Sequence, residues 1–265
     1  MPRITIRNAG DIPFGPFPEI SGVEARGSIQ SKSVIGTGEQ PMWCWLHQLA
    51  PGAEMRWSKP AVAHGIFVWE GSIEAGGRQF GAEGAAVIEH HGEALLRAGP
   101  GGALITHFHR PPGHPEVPAR SGGHARFFDR DGIFCFDNRP TGGSAVTLYS
   151  DSGEKTNDVW LHRSGSAPGR KLPSHCHSED EVIFITKGTM KVGRRFLAPG
   201  TALAIDQQTS YMFEAGPEGL TFVNFRSTQP YYIPVTREGK GTPRNERESL
   251  RSIAPDAKNR SALTV

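Results

Sequence analysis

The stretch from Gly169 to Gly188 constrains this chain more than any other. It runs from a glycine through His175, Cys176 and His177 to Glu181 and a closing glycine. Residues two apart in a strand project to the same side, so His175 and His177 share a face while Cys176 points away. A turn into the next strand then brings Glu181 back to that face. A helix fits worse, because neighbours on a helical face are three or four residues apart. Two imidazoles and a carboxylate on one face suit a divalent ion such as Fe(II), Mn(II), Ni(II) or Zn(II), with positions left open for water or substrate.

The spacing resembles the first motif of the cupin family, Gly-x5-His-x-His-x3-Glu-x6-Gly, at every fixed position. The resemblance implies an all-β fold of jelly-roll barrels with His175, His177 and Glu181 as metal ligands. It also implies a second motif, Gly-x5-Pro-x-Gly-x2-His-x3-Asn. Counted from Gly200, that motif places Asp206, Gln208, Tyr211 and Ala215 at its fixed positions. Tyr211 thus stands where the family supplies a further histidine. Its phenol is expected to hold a metal-bound water or a substrate beside the ligands, since a reference pKa near 10 makes direct ligation demanding. Gln208 and Tyr211 are the candidates for an additional ligand or water-holder, and Tyr211 is the one candidate catalytic side chain.

An internal repeat extends the argument to the whole chain. Trp45-Leu46-His47 recurs as Trp160-Leu161-His162, each ahead of a Pro-Gly pair, Pro51-Gly52 and Pro168-Gly169, with two extra residues in the second gap. Laid on Gly52, the first motif places Ser58, Pro60 and His64 at the ligand positions and Gly71 at the closing glycine; the second motif gives Leu95 for its histidine. The amino-terminal unit therefore reads as a barrel without metal ligands. The expected organisation is an arm at 1–20, a degenerate barrel at 21–112, a linker at 113–125, a metal-binding barrel at 126–236 and a polar tail at 237–265, with Glu246 to Ser252 as a short helix. Because His47 and His162 recur in both units, packing is the expected role of each. His64, His90 and His91 match no ligand spacing. Asn224 and Arg226 alternate along the last barrel strand, within reach of an anion in the lumen, although an arginine at a strand end usually faces solvent.

Composition agrees with tandem β-barrels: the 265 residues include 33 Gly and 21 Pro, a pattern of short strands and tight turns. A net charge of +2 makes no case for nucleic acid, and no apolar run suits a membrane. The amino terminus, Met1-Pro2-Arg3-Ile4-Thr5-Ile6-Arg7, has no signal-peptide core, so a cytoplasmic location is expected. Cys44, Cys135 and Cys176 are too few and too odd for a disulfide framework.

Two functions follow. One is a metal-dependent enzyme acting on a small organic molecule in the second barrel; the cupin resemblance allows a dioxygenase or a Lewis-acid isomerase or lyase. The other is a non-catalytic bicupin that binds a small ligand, as sensor, storage or accessory protein. The resemblance also implies a homodimer. The plainest alternative for His175, His177 and Glu181 is a polar strand edge, and the glycine offsets and the duplication argue against it.

Overall fold

A computed structural model describes residues 3–36, 41–111, 123–253 and 262–264. Most of the linker expected at 113–125, and residues 254–261 of the tail, lie outside the described residues. The described chain is almost entirely antiparallel β structure in two large sheets, the tandem cupin jelly-roll arrangement expected from the sequence.

Equivalent strands build the two barrels. In the first, Glu93–His109 lies between Trp43–Leu49 and His64–Ala75. In the second, Tyr211–Arg226 lies between Trp160–Ser166 and Glu181–Val192. The closing glycines confirm the equivalence: a Cβ on Gly71 would lie 2.2 Å from the Gly102 carbonyl oxygen, and one on Gly188 would lie 2.1 Å from that of Gly219. Both glycines also have positive φ, 75° and 67°, so no other residue fits either place.

Register corrects the repeat alignment. Trp43 pairs with His109 and Trp160 with Arg226, while His64 also pairs with His109 and Glu181 with Arg226. Trp160 is therefore the counterpart of Trp43, not of Trp45, and His162 that of Trp45. The two gaps before Pro-Gly are then equal, and no insertion is needed. The repeated tripeptide misled by two residues, a shift that leaves every side chain on its original face.

Alternation divides each central strand between two destinations. Ile66, Val68 and Ile105 fill the first barrel, and Ile183, Ile185 and Phe222 fill the second. The intervening Phe67, Phe108, Val182, Phe184 and Phe225 form one core shared by both sheets. Phe108 and Phe225, equivalent by register, stack with ring centroids 5.6 Å apart. Gly65 makes room for this contact, since a Cβ there would meet the Phe225 ring at 2.8 Å.

The termini tie the units together. Ile4–Asn8, in the expected arm, pairs with Thr201–Ile205 of the second barrel, and Gly15–Pro16 pairs with Ile29–Ile35 of the first. Ala125–Phe128, at the expected boundary between linker and second barrel, pairs with Ala85–Ile88 of the first sheet. The helix Glu246–Ile253 forms where a short helix was expected. No helix among the described residues is long and apolar enough to cross a membrane.

Candidate metal centre

His175 and His177 lie on the strand Lys171–His177, and Glu181 opens the strand that follows. All three are buried, with exposures of 1%, 5% and 2%. The two imidazoles project to one side, their ring centroids 5.0 Å apart, and the intervening Cys176 packs away from them. His175 Nδ1 lies 2.8 Å from the Pro173 carbonyl oxygen. That oxygen only accepts, so Nδ1 carries the proton and Nε2 presents a lone pair. Tyr211 pairs with His175 across the sheet, its ring 4.4 Å from the imidazole, and Tyr232 stacks on the other face at 4.8 Å.

Arg226 is the residue that sequence reasoning misplaced. It is 2% exposed, not solvent-facing. Its Nη2 donates to Glu181 Oε2 at 2.8 Å and to His177 Nε2 at 3.1 Å. Its Nη1 donates to Glu246 Oε2, which the carboxy-terminal helix delivers from the segment expected to be a surface tail. Asn224 Nδ2 adds a 2.6 Å hydrogen bond to Glu181 Oε2. The alternation of Asn224 and Arg226 on the lumen face was a usable signal for both. For Glu246 the sequence carried none.

Electrostatics follow from this packing. Burial pushes the Glu181 carboxyl up, but Arg226 above all, with His177 and Tyr211, outweighs it and holds the group at about 2. Burial, reinforced by Arg226, keeps His177 neutral well below the usual imidazole range. Burial likewise raises the Tyr211 phenol, and Glu181 raises it further, so Tyr211 is a neutral hydroxyl here. His162 accepts from Trp160 Nε1 at 2.7 Å and is lowered to about 3, mainly by burial.

The sequence-derived residues are only partly brought together. His175, His177 and Tyr211 line one cavity of about 290 Å3 with Arg226, and Glu181 reaches the cluster through Arg226. Gln208 is not part of the cluster. It lies exposed in a turn at φ 62°, its side-chain oxygen taken by Lys240 Nζ at 2.7 Å.

The donor types suit a divalent ion, but as placed the three do not converge on one. His175 Nε2 is oriented by its partner on Nδ1, and Glu181 Oε1 is buried without a hydrogen bond. His177 Nε2 is a lone pair already used by Arg226, so the guanidinium must withdraw toward Glu246 before all three donors are free. Consistent with this, no three such donors among the described residues are already converged for a metal.

No family model matches the chain, and no curated relative does. Solved structures do. Lactobacillus farciminis oxalate decarboxylase, solved as a formate complex, superposes with a TM-score of 0.61 at 13% identity, covering 95% of this chain and 92% of its own. The Ylba protein of E. coli matches with a TM-score of 0.61 at 12% identity over 84% of this chain and 90% of its own. This chain has the bicupin fold. Pumpkin seed globulin also shares it, with a TM-score of 0.59 at 10% identity over 88% of this chain and 87% of its own. A decarboxylase and a seed globulin on one scaffold show that the bicupin fold does not choose the function; the site must.

Proposed function

We propose that the carboxy-terminal barrel of this bicupin is a metal-dependent enzyme site for a small organic acid. His175, His177 and Glu181 would hold one divalent ion, Fe(II), Mn(II), Ni(II) or Zn(II). The observations that carry this are the Nε2 of His175, oriented by the hydrogen bond on Nδ1, and the Oε1 of Glu181, buried without a hydrogen bond.

The cavity supports the substrate class. Arg170 and Arg244 line it beside Arg226, and apolar Leu172, Phe213 and Phe222 supply the remaining wall. Cationic groups over an apolar floor suit a carboxylate on a small carbon skeleton. A bound ion supplies Lewis acidity toward a substrate carbonyl or carboxylate, or, as Fe(II), the means for dioxygenase chemistry. Tyr211, kept protonated, donates a hydrogen bond from its phenol. Arg226 pivots on Glu246, giving up His177 and gaining the substrate carboxylate.

Elemental analysis tests the proposal. Protein purified after supplementation should carry about one transition metal per chain, and His177→Ala should lose it while remaining folded. Wild-type metal content in His177→Ala would refute the ligand assignment. A second reading, a non-catalytic small-ligand binder, is favoured by the Glu181–Arg226–Glu246 network, in which Arg226 engages both carboxylates without a metal. Metal-free wild-type protein that still binds small carboxylates would establish that reading instead.

A further inference from the structure

The first barrel, stripped of the family's ligands, nevertheless gathers four histidines at its centre. His47, His64 and His107 are fully buried and His109 is 2% exposed. Three form a chain: Ser31 Oγ to His47 Nδ1 at 2.8 Å, His47 Nε2 to His107 Nδ1 at 3.1 Å, and His107 Nε2 to His64 Nδ1 at 2.7 Å. Each link needs one proton, so fixing one tautomer fixes the next. His109 stands beside the chain, its ring 5.0 Å from that of His64, and its Nδ1 lies 2.7 Å from the Arg110 carbonyl oxygen.

Two nitrogens are left over. His64 Nε2 and His109 Nε2 are both buried without a hydrogen bond. His109 Nδ1 must donate to the carbonyl, which makes its Nε2 a bare lone pair. If His64 Nε2 is also a lone pair, its Nδ1–H donates to His107, His107 donates to His47, and His47 donates to Ser31, so every link is satisfied. In both rings one nitrogen is then a free lone pair and the other an anchored N–H, the arrangement that orients imidazole ligands on metals.

Charge selects the ion. The hydrogen-bond partners of His47, His64 and His107 among the described residues are Ser31 and one another, all neutral groups. Burying a charge costs more as its square, so a dication with only two neutral ligands is disfavoured here. A monovalent ion content with two nitrogen donors is not. Imidazole suits copper, and Trp57 packs against His64 and His107 to close the surroundings with apolar surface.

We propose that His64 Nε2 and His109 Nε2 form a two-imidazole site for Cu(I) in the first barrel, separate from the ligand set of the second. The proposal does not depend on the function assigned to the second barrel. The site lies at the register position that Glu181 and Arg226 occupy there, so the duplicated fold offers the same place twice and fills it with different chemistry.

Anaerobic titration of the full chain with Cu(I), added to folded protein and also during refolding, tests it. Wild type should take up one equivalent with a two-nitrogen shell at the copper absorption edge. His109→Leu should lose that equivalent. His109→Met, nearly the same shape but with a soft thioether donor, should keep it, which separates ligation from packing. His177→Ala should keep it too, so a failure in the second barrel cannot be mistaken for one here. The assignment is overturned if neither loading route yields uptake, or if His109→Leu binds as wild type does.

Discussion

At one equivalent position the two barrels solve the same problem in opposite ways. Glu181 and Arg226 face each other in the second barrel as a buried ion pair, with Asn224 donating to Glu181 and Glu246 accepting from Arg226. His64 and His109 face each other in the first as two neutral rings, each with a nitrogen left unpaired. An ion pair satisfies itself but depends on both members. An imidazole pair carries no net charge and leaves donor atoms open. The duplicated backbone supplies a buried polar position, and the side chains alone decide whether it is closed or available.

The backbone half of this comparison predicts the largest effects. Because an added Cβ would strike a carbonyl oxygen in either barrel, Gly71→Ala and Gly188→Ala should each destabilise by about 4 kcal/mol or more. Denaturant midpoints should show near-equal losses. A tolerated substitution in one barrel alone would mean that the two closing turns are not equivalent.

Next in size is the ion pair. Arg226→Leu leaves the carboxylates of Glu181 and Glu246 without their shared counter-charge and should cost about 3–5 kcal/mol, whereas replacing Glu181, Arg226 and Glu246 together by Leu should cost much less. Denaturant midpoints of the single and triple variants measure this. If the triple variant is as damaged as the single, the three residues matter for packing and not for charge.

The smallest effect is a shared response to acid. Burial lowers His47 and His162 to about 3 from an ordinary 6.5, so below 6.5 the unfolded chain takes up a proton that the folded chain refuses. Each therefore removes stability as pH falls from 6.5 toward 3, by up to about 1.4 kcal/mol per pH unit. His47→Gln and His162→Gln lack this penalty. Relative to wild type, each should look better at pH 5 than at pH 7 by about 2 kcal/mol. Urea unfolding at the two pH values would show it, and a response in only one barrel would mean that the other imidazole is solvated.

Much of the fold was legible from local pattern. The glycines at fixed offsets, the strands between them and the shared face of His175 and His177 are all set by short-range geometry, where a period of two and a positive φ leave traces within a few residues. The site was legible only in part. Gln208 satisfied the spacing of the second motif, yet its backbone enters the left-handed region and turns the side chain out to Lys240. Arg226 looked like a strand end facing water, and the tail carrying Glu246 looked solvated. The tripeptide shared by the two units aligned them two residues out of step until strand register corrected it.

The sequence by itself determined two jelly-roll units, one with a His-x-His-x3-Glu set and one without, because alternation and turn chemistry act between near neighbours. Tertiary structure alone decided that Arg226 sits on the ligands, that a helix after the last barrel strand supplies Glu246, and that four histidines spread from position 47 to position 109 meet in one barrel. Those meetings depend on which strands pair and in what register, a property of the whole sheet that no single segment encodes.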